Sequence, residues 1–220
     1  MAENVFDIRE ASLIDFEAFV FDHDVHPVGS ENVWYHQFET VILFDAKHNA
    51  LRFTELLENS ETLFRKYDLP RLEQGCWAMF GSGFQGNLSD LIWEQDIPIE
   101  IKVSLIEAMF FVYRDVFAKD TLGHACEMWW DGLAYDIHPM QIADPKNNLE
   151  HKRFQDAMFT TLRKILQLDN LDCQFAALHG LNHVAHPETE TVIKQYVATH
   201  SELSEEEVEY AILCANGGAI

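Results

Sequence analysis

The sequence predicts an all-α protein built from antiparallel-looking helix pairs, and three observations carry that prediction. Apolar residues recur at spacings of three and four from end to end, whereas strict alternation over a strand's length is hard to find. Prolines and capping residues stand where those runs begin or stop. With 48% hydrophobic residues in 220 positions, the chain can bury a sizeable core as a single helical domain spanning residues 1–220.

Taken in order, Ser30 precedes a pattern through Trp34, Phe38, Val41 and Ile42 that predicts a first helix, and Leu51, Phe53, Leu56 and Leu57 lead a second towards Phe64. Pro70 opens a helix containing Trp77 and Phe80. Pro98 suits a first helical position, because its missing N–H would have no partner there. The stripe that follows it runs through Ile99, Val103, Ile106, Phe110, Tyr113 and Phe117, widened by Met109, Val112 and Val116, and predicts one long buried helix.

Met128, Trp129, Leu133 and Ile137 mark a helix before Pro139, and residues 139–148 read as a connecting loop. Phe154, Met158, Leu162, Ile165 and Leu166 mark the next helix. After Asn170, Cys173, Ala177, Leu181 and Val184 share one face of a helix and His179, His183 and His186 the other, until Pro187 ends it and starts its successor. Ser204 with Glu207 forms a capping box; Val208, Ala211, Ile212 and Ala215 supply the face behind it, and Gly217 suits the stop. The stretch from Asp68 loosely echoes the stretch from Asp169, which leaves a stacked array and a compact irregular bundle both open.

Fifteen basic against 37 acidic residues give a formal charge of -22. Such a chain repels phosphate backbones and anionic lipid, so neither nucleic acid nor membrane is the expected partner; the charge fits either solubility or the steering of a basic protein partner, and charge alone does not choose between them. The N-terminus carries acids where a signal peptide would carry bases, and no apolar run approaches the ~20 residues of a membrane span. The four cysteines, Cys76, Cys126, Cys173 and Cys214, lie far apart with no CxxC pair. They read as reduced, buried thiols of a cytoplasmic protein.

Few motifs carry chemistry. Gly81 to Gly86 matches GxGxxG, but it follows a helical run rather than a strand and reads as a flexible connection. His179 and His183, four residues apart on a helix, can present both rings to one transition-metal ion. Adding His186 stretches the row to ~10.5 Å at ~1.5 Å per residue, too long for one ion, so two histidines at most cooperate. Further ligands must come from another segment. Asp172 is two turns away, and His23, Asp24, His26 or His200 enter only through tertiary contacts. The competing reading packs the three rings against the adjacent helix pair. In Met128-Trp129-Trp130-Asp131 the consecutive rings read as core packing, with a partly exposed Trp130 as the candidate anchor for a partner in the alternative reading. No serine or cysteine has a context that specifies a paired base.

The string Ala177-Leu178-His179-Gly180-Leu181-Asn182-His183, followed by His186-Pro187-Glu188 and Ile193-x-x-Tyr196-Val197, resembles bacterial HEAT-like repeat proteins over about the last fifty residues. Gln74-Gly75-Cys76-Trp77 and Met128 to Asp131 are consistent with the same pattern. The resemblance implies a HEAT-like array of antiparallel helix pairs, a short α-solenoid, and a scaffold role. Some HEAT-like enzymes hold di-iron with His-Glu pairs, and this chain has no adjacent His-Glu dipeptide. The expectation is a non-catalytic, acidic protein-binding scaffold or adaptor without a cofactor, with an inhibitor or immunity-type role towards a basic partner among its forms. The alternative is a metal-binding protein or metal-dependent enzyme using His179 and His183.

Overall fold

The computed structural model describes residues 4–27, 29–36, 40–80, 84–134 and 143–219. The protein is mostly helical, with almost no strand. Read from its sequence as one helical domain, the chain groups into two compact units, Met1–Ala125 and Cys126–Ile220. Among the described residues no helix is long and apolar enough to cross a membrane.

The first unit opens with β1 (Asn4–Asp7) and α1 (Leu13–Phe21), whose N-terminus is capped by the Ser12 hydroxyl accepting from the Asp15 N–H. The helix predicted over Trp34 to Ile42 is corrected. Trp34–His36 form a 3₁₀ turn and Thr40–Leu43 form β2, paired in parallel with β1 so that Val5 faces Val41 and Phe6 faces Ile42. Three of the four β2 residues, Thr40, Val41 and Ile42, are β-branched, which favours the extended chain once an edge is present to pair with; Phe38 lies outside the described residues. Beyond it come α2 (Ala46–Glu58), capped by Asp45, α3 (Leu63–Lys66), α4 (Leu69–Phe80), α5 (Leu88–Trp93), and α6 (Ile99–Val112) with Pro98 at its N-cap.

Helix α6 continues into a wider turn over Tyr113–Phe117, in which the Ala118 N–H reaches the Tyr113 carbonyl at 2.9 Å. Its buried stripe is rotated from the predicted one. Leu105 and Lys102 join Ile106, Met109 and Val112 inside, while Ile99, Val103 and Phe110 are half-buried. Apolar residues surround this helix, so spacing alone does not choose a face; contact with α2 does. An aromatic core links Phe16 edge-on to Phe53 at 4.8 Å and Phe19 to Trp34 at 5.0 Å.

α7 (Ala125–Met128) spans the boundary, and the second unit continues with α8 (Asp131–Ala134), α9 (Leu149–Ile165), α10 (Leu171–Val184), α11 (Thr189–Thr199) and α12 (Glu205–Ala215). The single helix predicted through Met128 and Leu133 is therefore two short ones, broken at Trp129-Trp130; Ile137, and residues 139–142 of the predicted loop, lie outside the described residues. Helix α10 is central, touching α8, α9, α11 and α12. Its predicted apolar face is fully inside, with Cys173, Ala177, Leu181 and Val184 at 0–1% exposure. It ends at Ala185 in the left-handed conformation, φ 49°. The capping box of Ser204 and Glu207 is present, and α12 closes with the Gly217 N–H on the Cys214 carbonyl and the Gly218 N–H on the Leu213 carbonyl, with Gly217 at φ 72°. All four cysteines are buried and none forms a disulfide.

Candidate metal centre

Gly180 explains why two distant segments meet. A Cβ there would lie 2.7 Å from Cγ of Trp130 and 2.7 Å from a methyl of Leu162, so only a residue without a side chain lets the indole seat directly on α10. Trp130 is fully buried in that seat. The core-packing reading of Trp130 agrees with this burial: its ring packs α8 against α10 rather than standing exposed as a partner anchor would. The residue after it, Asp131, is thereby carried to the helix position flanked by Gly180, where His179 projects.

Three donor atoms converge at that point. His179 Nε2 lies 2.8 Å from Asp131 Oδ1, His183 Nε2 lies 3.4 Å from the same oxygen, and the two Nε2 atoms are 2.9 Å apart. The rings meet edge-on at 85°, with centroids 4.4 Å apart. Side-chain exposures of 13% for His179, 4% for His183 and 19% for Asp131 put the cluster just beneath the surface. With Asp131 ionised, one His179 Nε2–H can be shared between Asp131 Oδ1 and the His183 Nε2 lone pair, which accounts for the two short edges and leaves only the 3.4 Å edge without a hydrogen bond. The alternative occupant is a shared cation, at which all three atoms would point lone pairs. Donors ~2.0–2.2 Å from one ion and separated as these are subtend about 85–110° at it, between octahedral and tetrahedral values.

The surroundings orient His179. Its Nδ1 is 3.2 Å from the Tyr210 hydroxyl on α12, and the Tyr210 ring stacks on Phe175, one turn before His179, at 5.5 Å and 16°. Burial first, then Cys214 and nearby carboxylates, raises the Tyr210 hydroxyl well above its ordinary range, so it remains a neutral phenol. With Nδ1–H donating to that oxygen, Nε2 is left as the donor to an ion, the usual outer-shell arrangement for a ligating histidine. His183 Nδ1 lies 3.4 Å from Asn182 Nδ2, too long an edge to fix its tautomer.

The third histidine of the row is elsewhere employed. His186 stacks on Phe159 at 3.9 Å, accepts from the Glu188 N–H at Nδ1 and reaches Asp156 through Nε2 at 3.2 Å. His200 faces the Tyr196 carbonyl at 2.8 Å, and Asp172 is not in the cluster. In the first unit His23 lies just beyond the C-cap of α1 and the His26 backbone N–H bonds Gln74, as a helix end and loop. The sequence pair His179 and His183 is thus brought together, and the ligand that sequence reading missed is Asp131. Forty-eight residues separate it from His179; its only local signal is an acid immediately after a buried tryptophan. Of Gly81 to Gly86, the last is a turn glycine at φ 82°, and residues 81–83 lie outside the described set.

A cavity of about 700 Å³ opens beside Asp131 and His179. Against this geometry, no family model matches the chain, and no curated protein or solved structure matches it either.

Proposed function

We propose that this protein binds one first-row transition-metal ion through Asp131, His179 and His183, and that its activity depends on that ion. The observation supporting this is the triangle of donor atoms with edges of 2.8, 2.9 and 3.4 Å. Two imidazoles and one carboxylate form a borderline donor set, suited to zinc or iron rather than to magnesium or calcium. Three protein donors leave at least one coordination position for water or another ligand, the arrangement of reactive rather than purely structural sites. At such a position the ion supplies Lewis acidity and lowers the pKa of a bound water.

The test is metal analysis of the full chain purified without added metal, followed by titration with zinc. One equivalent is expected in the wild type and in His186→Ala, and under a tenth of an equivalent in Asp131→Asn, His179→Ala and His183→Ala, with helical circular dichroism retained. A wild-type protein that is metal-free and also fails to take up zinc at equimolar concentration overturns the proposal. The acidic-scaffold reading retains one support, the formal charge of -22, and predicts capture of a basic protein that weakens as salt rises. The HEAT-like arrangement is proposed only for α9 to α12, on the pairing of α9 with α10 and of α11 with α12.

A further inference from the structure

We infer that the cavity beside the triad is a ligand chamber for a small organic cation carrying an ammonium or guanidinium group. This deepens the metal reading and rests on it for the inner end of the chamber, where Asp131 and His179 form part of the wall. The volume, about 700 Å³, lies in the usual range for small-molecule sites. Away from the triad its walls have one electrostatic sign. Glu127 from α7, and Glu206 and Glu207 from the first turn of α12, supply three carboxylates outside the proposed metal centre, and no lysine or arginine contributes among the described lining residues.

The remaining wall is apolar and aromatic, Met128 and the stacked pair Phe175 and Tyr210. Carboxylates beside π-faces attract a cation twice over, by charge and by the ring quadrupole, and both repel an anion. An anionic substrate, such as a phosphate ester or a carboxylic acid, would gain from the ion but would have to pass these acids. An amine or guanidine avoids that repulsion and places its apolar body against the rings. Glu207 also accepts from the Ser204 N–H in the capping box, at 2.7 Å, and is needed for α12 itself. Recognition is therefore tested at Glu127 and Glu206, which are neither triad donors nor cap residues.

Isothermal titration of the zinc-loaded full chain with benzylamine, benzyl alcohol and benzoate at constant ionic strength tests the inference. Benzylamine is expected to bind at one site, at least tenfold more tightly than the alcohol, with benzoate silent. Glu127→Gln with Glu206→Gln weakens benzylamine at least tenfold while zinc stoichiometry stays at one. The charge-matched pair Glu188→Gln with Glu202→Gln, outside the cavity, leaves it unchanged. Binding of benzoate as tight as that of benzylamine, absence of saturable benzylamine binding, or equal loss in the two variant pairs overturns it, the last because diffuse negative charge would then account for the affinity. The same titrations on metal-free protein separate the two proposals. Benzylamine binding that persists and still needs Glu127 and Glu206, in a chain that takes up no zinc, defeats the metal reading and leaves the cation chamber standing.

Discussion

Both units carry histidines at helix ends or along helix faces, yet they use them in opposite ways. In the first unit His23 stacks on Trp34 at 4.2 Å and 16°, with Nε2 on the Phe19 carbonyl at 2.6 Å, and His48 places Nε2 on the Ala11 carbonyl at 2.9 Å. The Nε2 of each of these rings has a backbone oxygen to bond, so the imidazole acts as a flat, half-polar packing group. In the second unit the Nε2 atoms of His179 and His183 face one another and a carboxylate, where hydrogen atoms cannot satisfy every edge. His186, three residues beyond His183 in the same row, returns to the first behaviour by stacking on Phe159. What decides the role is the acceptor that tertiary structure supplies, and a histidine's place in a helix does not reveal it.

That contrast is broken most severely by metal content. Alanine at His183 should reduce bound zinc from one equivalent to under a tenth, whereas alanine at His23 or His48 should leave it at one; zinc lost equally from all three variants would erase the distinction. Packing glycines give the next largest effect. A Cβ at Gly75 would collide with the Phe21 ring, and one at Gly180 with Trp130 and Leu162. Each alanine substitution should lower stability in urea denaturation by about 1–3 kcal/mol, the usual result of overpacking. Only Gly180→Ala should also weaken zinc, because only there does the displaced ring precede a ligand.

A smaller change tests the outer shell. Tyr210→Phe keeps the stack on Phe175 and removes the oxygen facing His179, so zinc affinity should fall about 10–100-fold with one equivalent still bound at saturation. Competition with a chromogenic chelator reads this directly, and unchanged affinity would show that Tyr210 only packs. The smallest effect belongs to His23, whose proton affinity is lowered chiefly by burial. In the unfolded chain it protonates near its ordinary value of about 6.5. Below that pH the unfolded state binds more protons than the folded one, so stability falls as the pH drops. His23→Phe keeps a ring against Trp34 and should flatten the fall in urea midpoint between pH 7 and pH 5.5; an unaltered slope would assign that loss to other groups.

Sequence patterning disclosed α2, α4, α6 and α9 to α12 because their faces are buried against neighbours at helical spacing, as at Phe154, Met158 and Leu162, and it passed over the short α5. It misread Thr40 to Leu43, where three β-branched residues in a short apolar run fit either period and the choice was made by pairing with Asn4–Asp7. It also merged α7 with α8, since consecutive tryptophans continue an apolar pattern straight through a break. At the candidate site the His179 and His183 spacing was visible because one helix carries both. Asp131 was invisible as a partner for the same reason that makes it effective: its position depends on a tryptophan seated on a glycine in a different helix. Packing and partner anchoring both stayed open for Trp130 because a sequence states a ring's size and not its surroundings.

The 48-residue separation of Asp131 from His179 has a thermodynamic meaning of its own. An ion held by both closes that loop as a cross-link would, and it binds the folded second unit while the unfolded chain offers no assembled triad. Each tenfold rise in free ion above the dissociation constant then adds about 1.4 kcal/mol to the stability of that unit. On the proposed reading the melting temperature of that unit would rise with the free ion, so thermal unfolding would report metal supply without any assay of chemistry.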